Sequence, residues 1–197
     1  MGTQLKSICV FCGSRFGEPD TFRMAAANLG AEIAKRDLRL IYGGGRVGLM
    51  GVVADAVLSH GGEVTGVIPD LLAQREIPHL GLTELILTGS MHERKATMAD
   101  LADGFIALPG GFGTLEEFCE VLTWSQLGIH RKPIGLLDVD QFFDPLVAFF
   151  DTLVDHGFVP PKHRSLVLRS ENAACLLDDF ARYEPPELAP WLSPDQT

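Results

Sequence analysis

Strand-like and helix-like stretches alternate along almost the whole of this 197-residue chain, and that alternation restricts the fold more than any other feature. Ser7–Phe11 reads as a buried strand. Thr21–Arg36 reads as a helix with Phe22, Ala26, Leu29, Ile33 and Ala34 on its apolar face. Arg39–Tyr42 is the second strand, and Leu49–His60 a helix stopped by Gly61-Gly62. Glu63–Ile68 and Glu84–Leu87 follow as strands, separated by an irregular connection from Pro69 to Gly81. His92–Ala102 is helical, Gly104–Leu108 a fifth strand, Leu115–Leu127 a helix and Pro133–Leu137 a sixth strand. Phe142–His156 is helical, Ser165–Leu168 an added strand and Asn172–Tyr183 a last helix. Such repetition predicts an α/β fold with a doubly wound, mostly parallel sheet and helices on both faces. The expected organisation is one nucleotide-binding domain over residues 1–183, then a proline-rich, loosely held tail over 184–197.

The composition fits a chain that folds without metals or disulfides, since 46% of its residues are hydrophobic. A formal net charge of −10 argues against a nucleic-acid surface, which needs a basic face. It leaves room for a small anion, which a local cluster of N–H groups and arginines can hold on an acidic protein. Cys9-x-x-Cys12 has the spacing of a redox motif, but Cys9 falls inside an apolar strand rather than at a helix start. Burial as a small hydrophobe is the simpler reading. Met1–Lys6 lacks the apolar core of a signal peptide. No stretch approaches the roughly 18 apolar residues of a membrane span. The expectation is a reduced, cytoplasmic protein without a membrane partner.

In a doubly wound sheet, ligands bind beyond the carboxyl ends of the strands where the winding reverses. The first, second and fifth strands here end in Cys12-Gly13-Ser14, Gly43-Gly44-Gly45-Arg46 and Pro109-Gly110-Gly111. The last turn continues as Phe112-Gly113-Thr114-Leu115-Glu116-Glu117. Glycines between a strand and a helix let a ligand approach the backbone, and the positive helix end favours a phosphate. Glu117 then adds an acid one turn into the helix. Thr114-x-x-Glu117 also satisfies the pattern of a capping box, a role compatible with ligand binding. Gly43 to Gly48 overlaps G-x-G-x-x-G, but no acid stands about 20 residues on at a strand end to hold a ribose. Gly44 and Gly45 therefore suggest a mononucleotide cradle rather than a dinucleotide site. No P-loop pattern exists.

Met91-His92-Glu93-Arg94-Lys95 opens the helix before the fifth strand. Two cations near a helix start oppose its dipole, so they are either a solvated pair with acidic neighbours or a contact for an anion. No His, Cys, Asp and Glu set has metal-ligand spacing, so no metal is expected. A phosphate cradle, an arginine and one helix-borne carboxylate suit cleavage of the N-glycosidic bond of a nucleotide. The transition state of that reaction carries positive charge at C1′. A carboxylate can offset that charge or orient the attacking water, while the fixed 5′-phosphate positions the ribose.

Pro109 to Glu117 resembles the PGGxGTxxE motif of the LOG (Lonely Guy) family, cytokinin riboside 5′-monophosphate phosphoribohydrolases once labelled lysine decarboxylases. The resemblance runs through Cys9–Ser14, Tyr42–Gly45, Val67–Pro69, Met91–Lys95 and Thr123–His130, covering roughly residues 7–183. Phe112 stands where many members have Tyr. The resemblance implies a Rossmann-like homodimer that releases a free base and ribose 5-phosphate from AMP or prenylated AMP, without a cofactor. It implies Arg94 and Glu117 as the catalytic pair. It also implies substrate contacts from Glu76, Arg94, Lys95, Gly111, Phe112, Gly113, Thr114, Leu115, Glu116, Glu117 and Thr123. The alternative function on the same fold is a non-catalytic nucleotide or molybdenum cofactor carrier. The older label fits poorly, because lysine decarboxylation normally needs a pyridoxal phosphate Schiff base.

Overall fold

A computed structural model describes residues 5–73 and 79–187. The elements run β1 (Ser7–Phe11), α1 (Thr21–Lys35), β2 (Arg39–Tyr42), α2 (Gly48–Ser59), β3 (Val64–Pro69) and α3 (Asp70–Ala73). They continue with β4 (Glu84–Thr88), α4 (Met91–Leu101), β5 (Phe105–Ala107), α5 (Phe112–Leu127) and β6 (Ile134–Leu137). The last are α6 (Asp144–Asp155), α7 (Pro161–Arg164), β7 (Val167–Ser170) and α8 (Ala173–Ala181). The strands form one seven-stranded sheet in the order β4-β3-β2-β1-β5-β6-β7. All six pairings are parallel, which sharpens the expectation of a mostly parallel sheet.

Helices cover both faces, as parallel strands require. Ile8 and Val10 of β1 face α1, α2 and α8, packing with Leu29, Ile33, Val53, Val57, Leu176 and Phe180. Cys9 and Phe11 face the opposite layer, with Met98 of α4, Phe118 and Val121 of α5, and the partly buried Phe150 of α6. Period-two alternation between two dry layers explains why these strands read as continuous apolar runs. Each fully buried Leu, Ile or Val contributes about 1.5–3 kcal/mol through removal from water. Cys9 and Cys12 are both buried, consistent with packing rather than redox chemistry. The strand order places the winding reversal between β1 and β5.

Several element boundaries differ from the sequence expectation, with local causes. α6 begins at Asp144 rather than Phe142. Asp140 and Gln141 have positive φ, and the Asp138 carboxylate accepts from Phe143 N at 2.9 Å, which holds these residues in a turn. β7 lies two residues later than expected, because Pro160-Pro161 starts the short α7 and Ser165 closes it. The irregular connection after β3 opens with the short α3, whose first residue is Asp70. Of the tail, residues 188–197 lie outside the described residues, as does Glu76.

Candidate active site

The carboxyl ends of β1, β2 and β5 meet through their backbones. Gly13 N donates to Pro109 O at 3.1 Å, and Leu49 N donates to Gly13 O at 3.0 Å. A crevice of about 300 Å³ opens where they join. Gly13, Ser14 and Arg15 line it from the first turn, Pro109, Gly110 and Gly111 from the fifth, and Phe16, Phe22 and Phe142 supply aromatic walls. It occupies the position where ligands bind in folds of this winding. Sequence reasoning singled out the three glycine turns but missed the aromatic walls, because Phe22 and Phe142 stand 120 residues apart with no shared motif.

α5 starts earlier than the sequence suggests. Its N-cap is Gly111, not Thr114, and no side chain caps it. Thr114 is the third helical residue and is buried, so the capping-box reading of Thr114 and Glu117 does not hold. A side-chain cap of related form belongs to α4, with the glutamate reaching the residue before the N-cap. Ser90 Oγ accepts from Glu93 N at 3.1 Å, and Glu93 Oε2 accepts from Gly89 N at 2.7 Å. The sequence signal for it, Ser-x-x-Glu ahead of Arg94, was available. Without a side-chain cap, the first N–H groups of α5 point outward beside the crevice, at the positive end of a 16-residue helix.

The glycines of this turn serve different ends. A Cβ at Gly110 would lie 2.1 Å from Thr114 Oγ1, so that glycine is required by the chain's own packing. At Gly111 and Gly113 a Cβ would meet nothing within 4 Å. Gly111 has φ −96° and ψ −157°, extended backbone open to other residues. Neither packing nor φ demands glycine there, which leaves close approach of a ligand as the reason. Gly111→Ala is therefore expected to keep its melting temperature and to raise KM for a bound nucleotide by about tenfold, equivalent to roughly 1.4 kcal/mol. Thermal melts beside steady-state kinetics check this. An unchanged KM removes Gly111 from the binding surface.

Arg94 and Glu117 come together from different helices. Arg94 Nη2 lies 3.3 Å from Glu117 Oε1, and the two side chains are only 11% and 12% exposed. Arg94 is anchored by its Nε, which donates to Val67 O at 3.1 Å. Gly43 makes room for it, since a Cβ there would fall 2.2 Å from Arg94 Nη2. Burial raises the pKa of Glu117 above the ordinary carboxylate value, and the Arg94 charge opposes that rise. A desolvated carboxylate of raised basicity beside a guanidinium is the arrangement expected of a catalytic acid or base. Glu117 lies six residues past Gly111, about 9 Å along the helix axis. The glycine turn and the acid thus stand one ribose phosphate apart.

The other expected contacts divide. Lys95 does not face solvent. Its Nζ donates to Glu116 Oε1 at 2.5 Å and to Glu120 Oε1 at 2.9 Å. Burial alone would lower its pKa, but these two hydrogen bonds outweigh that and raise it. Gly44 has φ +77° and accepts from His79 N at 3.1 Å, tying the second glycine turn to the connection after α3. Gly45 is buried beside it. Leu115 packs against the α4–α5 layer, whereas Phe112 is 93% exposed. Thr123 is exposed, its hydroxyl donating to Cys119 O at 2.7 Å. It stands 11 residues past Phe112, about 16 Å along α5 and away from the glycine turn.

Known proteins resemble this chain at two levels. A family model described as "possible lysine decarboxylase" matches residues 50–180. A cytokinin riboside 5′-monophosphate phosphoribohydrolase of Arabidopsis thaliana is 50% identical over 183 residues, covering 93% of this chain and 84% of the relative. One of Oryza sativa subsp. japonica is 47% identical over 183 residues, covering 93% of this chain and 76% of the relative. Among solved structures, the molybdenum cofactor carrier protein of Chlamydomonas reinhardtii superposes with a TM-score of 0.68 at 23% identity, over 91% of this chain and 97% of that one. At that identity the likeness extends to the fold alone.

Proposed function

The chain belongs to the LOG family, the group its family model and its half-identical relatives define, and from that membership we propose that it hydrolyses nucleoside 5′-monophosphates at the N-glycosidic bond. The substrates are AMP and its N6-prenylated, cytokinin-type forms, and the products are the free base and ribose 5-phosphate. The observation that carries this reading is the buried Arg94–Glu117 pair standing on the helix that the glycine turn opens. The N–H groups of Gly111 to Thr114 hold the 5′-phosphate. Ionised Glu117 offsets the positive charge that develops at C1′ as the C1′–N bond breaks. Water attacks C1′, the raised basicity of Glu117 suits it to take the proton that the water gives up, and the departing base takes up one proton from solvent, to which Glu117 later returns its own. Arg94 lies at ion-pair distance without a hydrogen bond to Glu117, which leaves Nη2 available to the substrate, while Nη1 donates weakly to Met91 Sδ at 3.8 Å.

Decarboxylation of lysine does not suit this site. A lysine that forms a Schiff base must lose its proton, and Lys95 is held protonated by two carboxylates. The carrier reading explains the cradle but gives Arg94 and Glu117 no task. The reading includes a homodimer, as the family resemblance implies, and does not rest on Thr123, which stands about 16 Å along α5 from the turn. Exposed Phe112, Leu87 and Met91 beside the site supply apolar surface for such a contact. Among the described residues no helix is long and apolar enough to cross a membrane.

The direct test is incubation with AMP and with isopentenyladenosine monophosphate, with free base measured by chromatography. Arg94→Ala is expected to lower turnover by at least about 100-fold, the usual loss on removing one charge-stabilising donor. A defect under about threefold would reduce Arg94 to general charge attraction.

A further inference from the structure

We propose that Glu120 is a positioning residue of this site: acting through Lys95, it fixes α4 against α5 and so sets Arg94 opposite Glu117. The role rests on the hydrolase reading above. Two adjacent rungs join the helices. Arg94 and Lys95 are neighbours on α4, and their partners Glu117 and Glu120 lie three residues apart on one side of α5. The first rung spans 3.3 Å without a hydrogen bond, so it does not define the helix register. The second carries the hydrogen bonds. Lys95 Nζ donates at 2.9 Å to Glu120, whose side chain is 24% exposed, and at 2.5 Å to Glu116, which is 55% exposed.

The Glu120 contact is the sheltered one. Exposed ion pairs contribute little, but a lysine with 10% exposure cannot be left without a counter-charge. Glu120 therefore neutralises Lys95 where water does not. The rigid lysine rung holds the two helices, while the looser arginine rung stays available to the substrate. Substrate alignment is sensitive to such a support, because a misplacement of about 1 Å costs on the order of 100-fold in rate.

The rung also sets the charge around Glu117. That carboxylate is faced by Arg94 and Lys95 from α4, by Glu116 and Glu120 from its own helix, and by the buried thiols of Cys9 in β1 and Cys12 in the turn after it. Removing the negative charge of Glu120 lowers the proton affinity of Glu117, and removing the positive charge of Lys95 raises it. Glu117 acts ionised, so activity is lost as pH falls through its pKa. The acid limb of the pH–rate profile then moves to lower pH in Glu120→Gln and to higher pH in Lys95→Met. Loosened packing alone does not move two variants in opposite directions.

The experiment measures kcat and KM for AMP across pH in the parent, Glu120→Gln and Lys95→Met, with circular dichroism as a fold check. The expected result is a kcat lowered about tenfold or more in each, KM for AMP within about twofold of the parent, and acid limbs displaced in opposite directions. A Glu120→Gln enzyme with parental kcat and an unmoved acid limb overturns the proposal. So does a raised KM at parental kcat in Lys95→Met, which would make the lysine a direct phosphate ligand. If Lys95→Met does not fold, Glu120→Gln decides through its kcat and acid limb. Failure of the hydrolase reading looks different: the parent itself would release no base from AMP.

Discussion

Glu117→Gln is expected to fold like the parent and to release base from AMP at least about 100-fold more slowly, within the range that a positioned acid or base contributes. The substitution keeps the shape of the side chain and an oxygen that can face Arg94. It removes the charge that offsets the developing cation and the basicity that takes up a proton. Stability should change little, since a buried carboxylate with raised pKa has already given up part of its hydration. KM should move less than kcat, because the glycine turn that holds the phosphate is untouched. Base release with thermal melts tests both halves. Near-parental turnover would leave Glu117 a buried partner of Arg94 with no chemical role, and the nearest carboxylates, Glu116 and Glu120, are already engaged by Lys95.

How much of this was legible in the sequence depends on the range of the interactions involved. Strand-helix alternation and the three glycine turns are local patterns, and both layers of the sheet follow from them. β1 reads as apolar throughout because Ile8 and Val10 meet one helix layer while Cys9 and Phe11 meet the other. The helix start at Phe112 was not legible. Thr114-x-x-Glu117 offers a cap, but Thr114 Oγ1 is turned over Gly110, and Glu117 is drawn to an arginine on another helix. The partners of Lys95 could have been inferred in part, since Glu116 and Glu120 are four residues apart on one helical face. That this face meets α4 follows only from the fold. The aromatic crevice wall was beyond reach for the same reason, with Phe142 set by a turn whose residues Asp140 and Gln141 adopt positive φ. Glu76 lies outside the described residues, and its part in binding rests on the family resemblance.

Adenosine is expected to be a poor substrate, with kcat/KM at least about 100-fold below that of AMP. Two charge-assisted N–H bonds to the phosphate, at roughly 1.5–3 kcal/mol each, account for that much. The uncapped start of α5 at Gly111 presents N–H groups suited to an oxyanion, and they gain little from a neutral 5′-hydroxyl. The loss should appear in kcat as well as in KM. A phosphate held at Gly111 sets the distance between C1′ and Glu117, six residues further along the same rigid helix, and without it that alignment must be found by chance. ADP and ATP should also fall below AMP. On the far side of the crevice from Ser14 and Arg15, the walls are Phe22 and Phe142, which offer no donors to a second phosphate and would strip part of its water. Parallel assays of AMP, adenosine, ADP and ATP at matched concentrations, with adenine measured by chromatography, decide the matter. Cleavage of adenosine as fast as AMP would mean that the glycine turn does not hold a phosphate, and that Gly111 and Gly113 stay small for some other contact.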